Sequence, residues 1–270
     1  MLFVHAIILA VVEGITEFLP VSSTAHLLLL EAWVSLGDDE AFRRLFDVLI
    51  QFPAILAVVV YFRRDLVPVG AEGAKRADAA MLWAKALLAV VPVGVLGVLT
   101  SDFVDANLRA PTPIAVALLL GGVVIVWIER RERSGTITTV GRVTFTLALL
   151  VGLIQCLAIV PGVSRSGATI LGAMLIGFDR ATAAKFSFIV GVPTIGGAAV
   201  YTVLKSGIAL TGPQGTALAL GMIVSFLVAL LVVSALMRFI QTHRLSVFGY
   251  YRIVLASAVL FAVFVLDFGN

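Results

Sequence analysis

Apolar runs long enough to form membrane-spanning helices recur along the chain. A transmembrane helix needs about 20 apolar residues, and six runs approach that length, at about 45–62, 81–99, 113–128, 186–204, 216–237 and 248–267. The pattern of these runs and of the short polar stretches between them predicts an all-α, polytopic integral membrane protein with six transmembrane helices.

Two further apolar regions, 2–34 and 143–178, are each broken near the middle. Pro20 interrupts the first, and Pro161 with Gly162 interrupts the second; Ser-rich sequence follows both breaks. Each half is too short to cross a bilayer, and non-helical backbone at membrane depth must be buried in protein or face a polar cavity. We therefore predict two re-entrant helical hairpins whose tips point toward the membrane midplane.

Composition agrees with a membrane protein. Hydrophobic residues make up 61% of the chain and charged residues 13%, with a mean hydropathy of +1.12. Soluble domains carry about twice this share of charge. The net charge of +3 is typical of basic loops that flank membrane spans, so we expect no nucleic-acid partner.

The two broken regions resemble each other in sequence. Residues 13–26 read EGITEFLPVSSTAH and residues 155–169 read QCLAIVPGVSRSGAT. The similarity continues downstream, where Phe46 corresponds to Phe186 and Pro53 to Pro193. This pattern indicates an internal duplication. We predict one membrane domain built from two repeats, at about residues 1–128 and about residues 143–267.

Loop charges predict how the repeats are oriented. The loops 63–78 and 129–142 are rich in Arg and Lys and should face the cytoplasm, whereas 100–112 and 205–215 carry one basic residue each. With this orientation the first hairpin opens outward and the second inward. The two repeats are then inverted, a topology that places a site at the repeat interface near mid-bilayer.

The first break carries acids, hydroxyls and a histidine. Glu13 and Glu17 are spaced i,i+4 and therefore share one helix face, an arrangement suited to a divalent cation or to acid–base chemistry. Three residues suited to capping a second half-helix, Ser22, Ser23 and Thr24, follow Pro20, and His26 lies on its first turn. The alternative is that these glutamates are simply hydrated at the membrane surface.

The second break carries groups that suit a phosphate. Ser164, Arg165 and Ser166 lie where a half-helix begins, so free N–H groups, hydroxyls and a guanidinium can face an anion. Thr169 lies one turn later, and Gln155 is a hydrogen-bonding counterpart of the first glutamate. The alternative is that the serines are helix caps and that Arg165 is a structural partner of a glutamate in the other motif.

The combined residues leave two functions open. An inverted repeat with broken helices is also the architecture of secondary transporters, so a carrier or flippase of a phosphate-bearing lipid is one alternative. A carrier needs no nucleophile, however, and the pattern of acids, hydroxyls, histidine and arginine favours an enzyme that cleaves a phosphoanhydride.

At these two motifs the chain resembles the undecaprenyl-diphosphatase family, integral membrane phosphatases that are also called bacitracin-resistance proteins. The similarity extends to FDVLIQ at 46–51 and YYRI at 250–253. It implies removal of the terminal phosphate from undecaprenyl diphosphate, which recycles the lipid carrier of cell-wall synthesis. It also implies a divalent cation, Mg²⁺ or Ca²⁺, a homodimer, and a bacterial inner-membrane location with the active site open to the periplasmic or outer face.

The resemblance also implies roles for individual residues. Glu13 and Glu17 match the acidic pair that is expected to hold the cation. The implied catalytic set is completed by Ser23, His26 and Arg165, and the implied substrate-binding set consists of Ser22, Thr24, Gln155, Ser164, Ser166 and Thr169.

The sequence departs from the family pattern at two positions, where Ala25 and Pro53 stand in place of the expected glycines. Because alanine suits a helical backbone but not a left-handed one, we expect Ala25 to lie within the second half-helix. Ser23 and His26 are three residues apart around the start of the second half-helix, close enough for the imidazole to take the serine proton. The nucleophile stays open among Ser23, His26 and a cation-activated water. The residues slightly favour His26, because a neutral imidazole is a nucleophile without prior activation.

Overall fold

The computed structural model describes residues 1–31, 33–68, 70, 73–131, 135–207 and 209–265. Six helices in these ranges are long and apolar enough to cross a membrane: α3 (Glu40–Tyr61), α5 (Gly73–Asn107), α6 (Pro111–Arg130), α9 (Arg180–Ser206), α10 (Gly212–Thr242) and α11 (Ser246–Val265). Each contains one of the six predicted spans or nearly all of it. The prediction of an all-α, multi-pass membrane protein is therefore confirmed.

Each of the two broken regions folds as a helix, a break and a second helix. The first comprises α1 (Leu2–Thr16) and α2 (Ser23–Leu30), and the second comprises α7 (Phe145–Gln155) and α8 (Arg165–Leu175). A 3₁₀ turn, Cys156–Ile159, continues α7 up to the second break. All four helices are shorter than a bilayer span. The re-entrant path itself stays a prediction.

The remaining elements are short. Helix α4 (Arg63–Leu66) follows α3, and a 3₁₀ turn covers Val140–Arg142. The described loop before α7 joins the loop after α8 through a single β-bridge between Ile137 and Phe178.

Polar caps define where several of the helices begin. Asp39 precedes α3 and accepts a hydrogen bond from the Phe42 N–H, which satisfies a donor that the first helical turn leaves free. This bond and one from the Gln214 side chain lower the pKa of the Asp39 carboxyl. Because Gln214 also forms a capping box with Thr211 at the start of α10, the same contacts join the first turns of α3 and α10.

Small residues let the helix backbones approach closely. A Cβ added at Gly122 of α6 would lie 2.8 Å from the Gly249 carbonyl oxygen of α11, and one added at Gly249 would lie equally close to the oxygen of Gly122. Similarly, Gly152 of α7 leaves room for the Ala89 carbonyl oxygen of α5, which an added Cβ would meet at 2.3 Å. Such contacts are typical of helix packing in membranes, where dispersion and shape replace the hydrophobic effect.

The packing partners of the two broken regions are exchanged. Helix α1 packs against α10, in the second half of the chain, whereas α7 packs against α5, in the first half. The long helices α3 and α9 pack against each other, as do α6 and α11. The contact of α1 with α10 thus corresponds to that of α7 with α5. The repeat boundaries and their inversion stay predictions.

Candidate active site

The two helix breaks lie against each other. The Ser166 hydroxyl, at the start of α8, lies 3.1 Å from the carbonyl oxygens of both Glu17 and Leu19 in the first break, and it donates to this pair of acceptors. It also lies 3.1 Å from the hydroxyl of Ser164. Residues that are almost 150 positions apart in sequence are therefore brought together, as the paired motifs predicted.

Both breaks end on a serine with the same unusual backbone. Ser22 has φ 72° and Ser164 has φ 74°, and in the described chain no other non-glycine residue has positive φ. Positive φ is unfavourable for residues with a side chain, and such positions concentrate at functional sites. Each serine caps the following half-helix, because its hydroxyl accepts from the N–H three residues later, Ala25 in one case and Gly167 in the other.

Glu17 is the centre of the candidate site. One oxygen, Oε2, accepts a 2.6 Å hydrogen bond from the Ser23 hydroxyl, and the other, Oε1, accepts a 2.7 Å bond from Nη2 of Arg165. The side chains of Glu17 and Arg165 are only 7% and 12% exposed, so water screens this ion pair weakly. One carboxylate thus joins the hydroxyl of the first motif to the guanidinium of the second.

Helix α9 shapes the pocket for the Arg165 guanidinium. Its Nη1 donates to the Ser187 carbonyl oxygen at 3.2 Å, and its Nε is buried with no hydrogen-bond partner. A Cβ added at Gly191 would lie 2.4 Å from Nη1, so only glycine leaves space for the guanidinium at this position. Since a guanidinium has five N–H donors and Arg165 also lines the cavity described next, donors remain that can bind an incoming anion.

A cavity of about 210 Å³ opens directly on these groups. Its polar lining comes from both motifs and from two long helices: Glu17, Ser22, Ser23, Thr24, Gln51, Gln155, Ser164, Arg165 and Thr194. Apolar residues, among them Ile159, Val160 and Pro161, form another part of its wall. The cavity therefore offers hydroxyls, one carboxylate and one guanidinium to a ligand, next to an apolar surface.

Glu13 and Gln155 lie at equivalent places in the two motifs, and each has unsatisfied polar atoms. Glu13 is fully buried, and neither of its carboxylate oxygens has a hydrogen-bond partner. Gln155 accepts from Thr194 through Oε1 at 3.3 Å, but its buried Nε2 has no partner. Buried acceptors without partners are costly, so the Glu13 oxygens call for a ligand that binds carboxylate.

The donor chemistry around Glu13 fits a hard divalent cation. Mg²⁺ and Ca²⁺ prefer carboxylate and carbonyl oxygens and can complete their coordination with water and substrate oxygens. Glu17 lies one helical turn from Glu13 and belongs to the same acidic pair. The described residues contain no group of three or more His, Cys, Asp or Glu side chains arranged to hold a metal. Glu13 and Glu17 are the residues that would hold a cation here.

His26 lies apart from the Ser23 hydroxyl. Its Nδ1 is 2.7 Å from the Ser22 carbonyl oxygen, and its Nε2 is 2.6 Å from the Tyr251 hydroxyl, on whose ring the imidazole also stacks. The described residues that line the cavity include Ser23 but not His26. The predicted proximity of serine and imidazole is not found, since both ring nitrogens face partners on other sides.

Two residues predicted to bind substrate lie behind the cavity. Ser166 is 1% exposed, and its hydroxyl donates to the Glu17 carbonyl oxygen in the first break. Thr169 is fully buried; its hydroxyl donates to the Arg165 carbonyl oxygen at 2.8 Å and contacts the Ser187 hydroxyl. Their positions indicate that they support the motif backbone, whereas Ser22, Thr24 and Ser164 do line the cavity as predicted.

Sequence reasoning missed a second arginine. Arg252 of α11 is 1% exposed, and its guanidinium donates to five backbone carbonyl oxygens. Three acceptors lie in the two breaks, at Pro20, Gly162 and Val163, and the other two lie on α6. An ionisable residue within an apolar span is a functional candidate by default, and that signal could have identified it. Gln51, Ser187 and Thr194 lack such a signal in the sequence.

The chain is similar in sequence to known membrane proteins over almost its whole length. A family model described as "Bacitracin resistance protein BacA" matches residues 6–258. "Undecaprenyl-diphosphatase 1" of Clostridioides difficile (strain 630) is 43% identical over 97% of this chain and 96% of its own. "Undecaprenyl-diphosphatase" of Enterococcus faecalis is 44% identical over 94% of each chain, and "Undecaprenyl-diphosphatase 3" of Acinetobacter baylyi is 42% identical over 96% of this chain and 97% of its own.

Proposed function

The chain belongs to the bacitracin resistance protein BacA family, and we propose that it hydrolyses undecaprenyl diphosphate to undecaprenyl phosphate and inorganic phosphate. The relatives at 42–44% identity are named for this activity and match nearly the full chain. The observation that carries the proposal is the hydrogen-bonded series Ser23, Glu17 and Arg165 on the wall of one cavity. In this series Ser23 supplies a nucleophile, Glu17 a base and the Arg165 guanidinium a positive charge that binds phosphate.

Ser23 is the nucleophile that this geometry favours. Its hydroxyl already donates to Glu17 at 2.6 Å, so the carboxylate is placed to take the proton as the oxygen attacks phosphorus. In this step a bond forms between Ser23 Oγ and the terminal phosphorus, and the bond from that phosphorus to the bridging oxygen breaks. The lipid monophosphate leaves with the bridging oxygen, and water then attacks the phosphoserine to release inorganic phosphate.

Arg165 links substrate binding to activation of the base. An ion-paired carboxylate is a weak proton acceptor, because the guanidinium stabilises its charged form. A diphosphate that enters the cavity offers Arg165 a second anion with bidentate geometry. Withdrawal of Nη2 from Glu17 toward the phosphate leaves the carboxylate free to accept the proton of Ser23, so the base becomes effective when substrate is bound.

The helix N-termini add to phosphate binding. Helices α2 and α8 both begin at the cavity wall, where their first N–H groups and the positive ends of their dipoles favour an anion. Ser22, Ser164 and Thr24 provide hydroxyls beside them. Fixed donors of this kind stabilise the charge that develops on the phosphoryl oxygens without reorganisation during the reaction.

A divalent cation, Mg²⁺ or Ca²⁺, is part of the proposal, with Glu13 and Glu17 as the residues that hold it. The unsatisfied carboxylate oxygens of Glu13 support this assignment. The cation would neutralise charge on the diphosphate. The chain's own contribution is to keep Glu13 dry and fixed one helical turn from the reacting Glu17.

The cellular arrangement also follows the family resemblance. We place the protein in the bacterial inner membrane, as a homodimer, with both broken regions re-entering the bilayer and the active site opening to the outer face. A second cavity of about 420 Å³ supports an outer opening, because it shares Thr24 and Gln51 with the first and reaches Arg109 and Lys205, which lie in the loops predicted to be external. A carrier function alone is not favoured, since the full-length relatives are named as diphosphatases.

Phosphate release tests this function directly. Purified protein in detergent should release inorganic phosphate from isoprenyl diphosphates in the presence of Mg²⁺ or Ca²⁺ and stop when excess chelator is added. Absence of release from any isoprenyl diphosphate would overturn the hydrolase proposal and favour a carrier. Release that is insensitive to chelator would remove the cation and leave the serine mechanism in place.

A further inference from the structure

An apolar groove of about 730 Å³ runs along the face between α6 and α8. We refer to it as the lipid groove and define it by Val116, Leu120 and Val124 on α6 and Ala168, Leu171 and Leu175 on α8. From its contact with the catalytic cavity we infer that it binds the isoprenyl chain of the substrate. This inference rests on the proposed hydrolysis of an isoprenyl diphosphate and assigns the place where its hydrocarbon part lies.

The groove and the catalytic cavity share a thin partition, the second helix break with the 3₁₀ turn before it. Leu157 and Val163 line the groove, Ile159 and Pro161 line the cavity, and Val160 between them lines both. Leu157 in the 3₁₀ turn and Val160 and Val163 in the break that follows it therefore line the groove from one side. At Val160 the boundary between polar and apolar surroundings is therefore a single residue, and we place the crossing of the substrate chain there.

The chemistry of the substrate requires such a passage. In an isoprenyl diphosphate the first carbon of the chain is bonded directly to a phosphate oxygen, with no polar spacer between headgroup and hydrocarbon. When Arg165 and Ser23 hold the terminal phosphate, the isoprenyl chain must leave the polar cavity within about one isoprene unit. If it stayed, its apolar surface would lie against polar groups, which is unfavourable. The apolar wall at Ile159 and Val160 is the part of the cavity next to a groove that can receive it.

The groove also has a suitable length and surface. From Thr112 to Ile128 it follows 17 residues of α6, a rise of about 24 Å in an α-helix, which approaches the thickness of the hydrocarbon core. Two polar residues line it: Thr112 at one end, in the first turn of α6, and Arg252, whose guanidinium already donates to backbone carbonyls. The rest of the lining is apolar, as a hydrocarbon chain requires.

A pair of neighbouring positions on α6 provides the test. Val124 lines the groove and is 45% exposed, whereas Val123 is 51% exposed and lies outside the lining. Both tolerate a large side chain, and only Val124→Trp fills the groove. Turnover of each variant is measured with undecaprenyl diphosphate and with geranyl diphosphate, whose two isoprene units are too short to follow the groove for its length.

We expect Val124→Trp to raise KM for undecaprenyl diphosphate about tenfold or more, because the isoprenyl chain loses its apolar contacts with the groove. KM for geranyl diphosphate should change less than about twofold. Val123→Trp should match wild type with both substrates. Leu175→Trp, across the groove at 43% exposure, should repeat the Val124→Trp result and guards against a folding defect of one variant.

Three results would overturn the inference. One is an equal effect of Val123→Trp and Val124→Trp, and another is an equal effect of Val124→Trp on both substrates. The third is photocrosslinking of a diazirine-labelled undecaprenyl diphosphate to α5 or α10 in place of α6 and α8, which would leave the groove to membrane acyl chains or to a second copy of the protein. Wild-type hydrolysis of geranyl diphosphate is scored separately, so failure of the groove is distinguishable from failure of the hydrolase proposal.

Discussion

The Ser23 hydroxyl donates a 2.6 Å hydrogen bond to Oε2 of Glu17. The two residues belong to one motif but lie on opposite sides of the first helix break, at the end of α1 and at the start of α2. The break is thus what brings the hydroxyl to the carboxylate, because a continuous helix would place residues six positions apart on different faces.

The first prediction is that Ser23 forms a covalent phosphoenzyme. Ser23→Ala should remove nearly all turnover, and Glu17→Gln should lower kcat by about 10²–10⁴-fold, the usual contribution of a general base. Rapid acid quench of the wild-type reaction followed by mass spectrometry should find an acid-stable phosphate on Ser23.

Ser225→Ala is the matched control for this prediction. Ser225 is another fully buried serine, and its hydroxyl donates to the Ile50 carbonyl oxygen away from the cavity lining. The control should keep kcat at some cost in thermal stability, since it loses a buried hydrogen bond. Solvent-oxygen label entering phosphate in a single turnover, with no covalent species trapped, would instead identify water as the nucleophile.

The second prediction concerns the space that holds Arg165. Gly191→Ala adds a methyl group that would lie 2.4 Å from Nη1 of the guanidinium, so the guanidinium must shift from its position beside Glu17. A displacement of this size in a positioning group can cost about 10²-fold in rate. We expect a loss of that order in kcat/KM, measured by phosphate release.

The control lies on the same helix. An added Cβ at Gly197 of α9 meets no atom within 4 Å, so Gly197→Ala should keep wild-type turnover. In parallel, Arg165→Lys retains the charge but not the planar pair of donors, and it should be nearly as damaging as Arg165→Ala. Wild-type kinetics in either Gly191→Ala or Arg165→Lys would contradict bidentate phosphate binding by this arginine.

The third prediction separates His26 from the chemical step. Because its ring nitrogens face the Ser22 carbonyl oxygen and the Tyr251 hydroxyl, we expect His26 to orient α2 against α11. His26→Gln and Tyr251→Phe should each lower kcat less than about tenfold, well below the cost of losing a nucleophile. An acid-labile phosphohistidine, or a loss in His26→Gln as complete as in Ser23→Ala, would restore the imidazole as nucleophile.

The fourth prediction is that Glu13 sets the affinity for the cation. Removing one charged ligand should raise the Mg²⁺ concentration needed for half-maximal activity by about tenfold or more in Glu13→Gln, while turnover at saturating Mg²⁺ falls less steeply. Activity is titrated against Mg²⁺ after chelator treatment. An unchanged titration curve in Glu13→Gln would show that these oxygens have another role.

Much of the fold could be predicted from hydrophobicity alone. The six spans were found because a bilayer fixes their length and composition, and the breaks were found because Pro20 and Pro161 with Gly162 interrupt apolar sequence that is followed by capping serines. Local chemistry also placed Ala25 correctly inside α2. In each of these cases the information lies in residues that are close together in the sequence.

The site was less accessible to prediction where it depends on contacts distant in sequence. Spacing three residues apart suggested that His26 could reach Ser23, but the positive φ of Ser22 turns the chain so that Ser23 meets Glu17. The space at Gly191 and the acceptor at Ser187 exist only because α9 packs beside α8. Such a contact between distant segments produces no periodicity or motif from which it could be predicted.

The last prediction is that Arg252 controls the relative position of the two breaks. Its guanidinium donates to Pro20 in the first break and to Gly162 and Val163 in the second, so one side chain fixes both half-helix starts. Arg252→Lys keeps a positive charge but cannot span five carbonyl oxygens, because an ammonium has three donors on a single atom.

We expect Arg252→Lys to lower kcat about 10²-fold in protein that still folds, because Ser23 and Arg165 lose their alignment. Arg180→Lys is the control, since Arg180 pairs with Glu129 near the other end of α6 and should change kcat less than about twofold. A cycle with Ser23→Ala then separates positioning from general destabilisation: if Arg252 acts through Ser23, adding Arg252→Lys to Ser23→Ala should cause little further loss. Losses that multiply in the double variant would show that Arg252 only stabilises the fold.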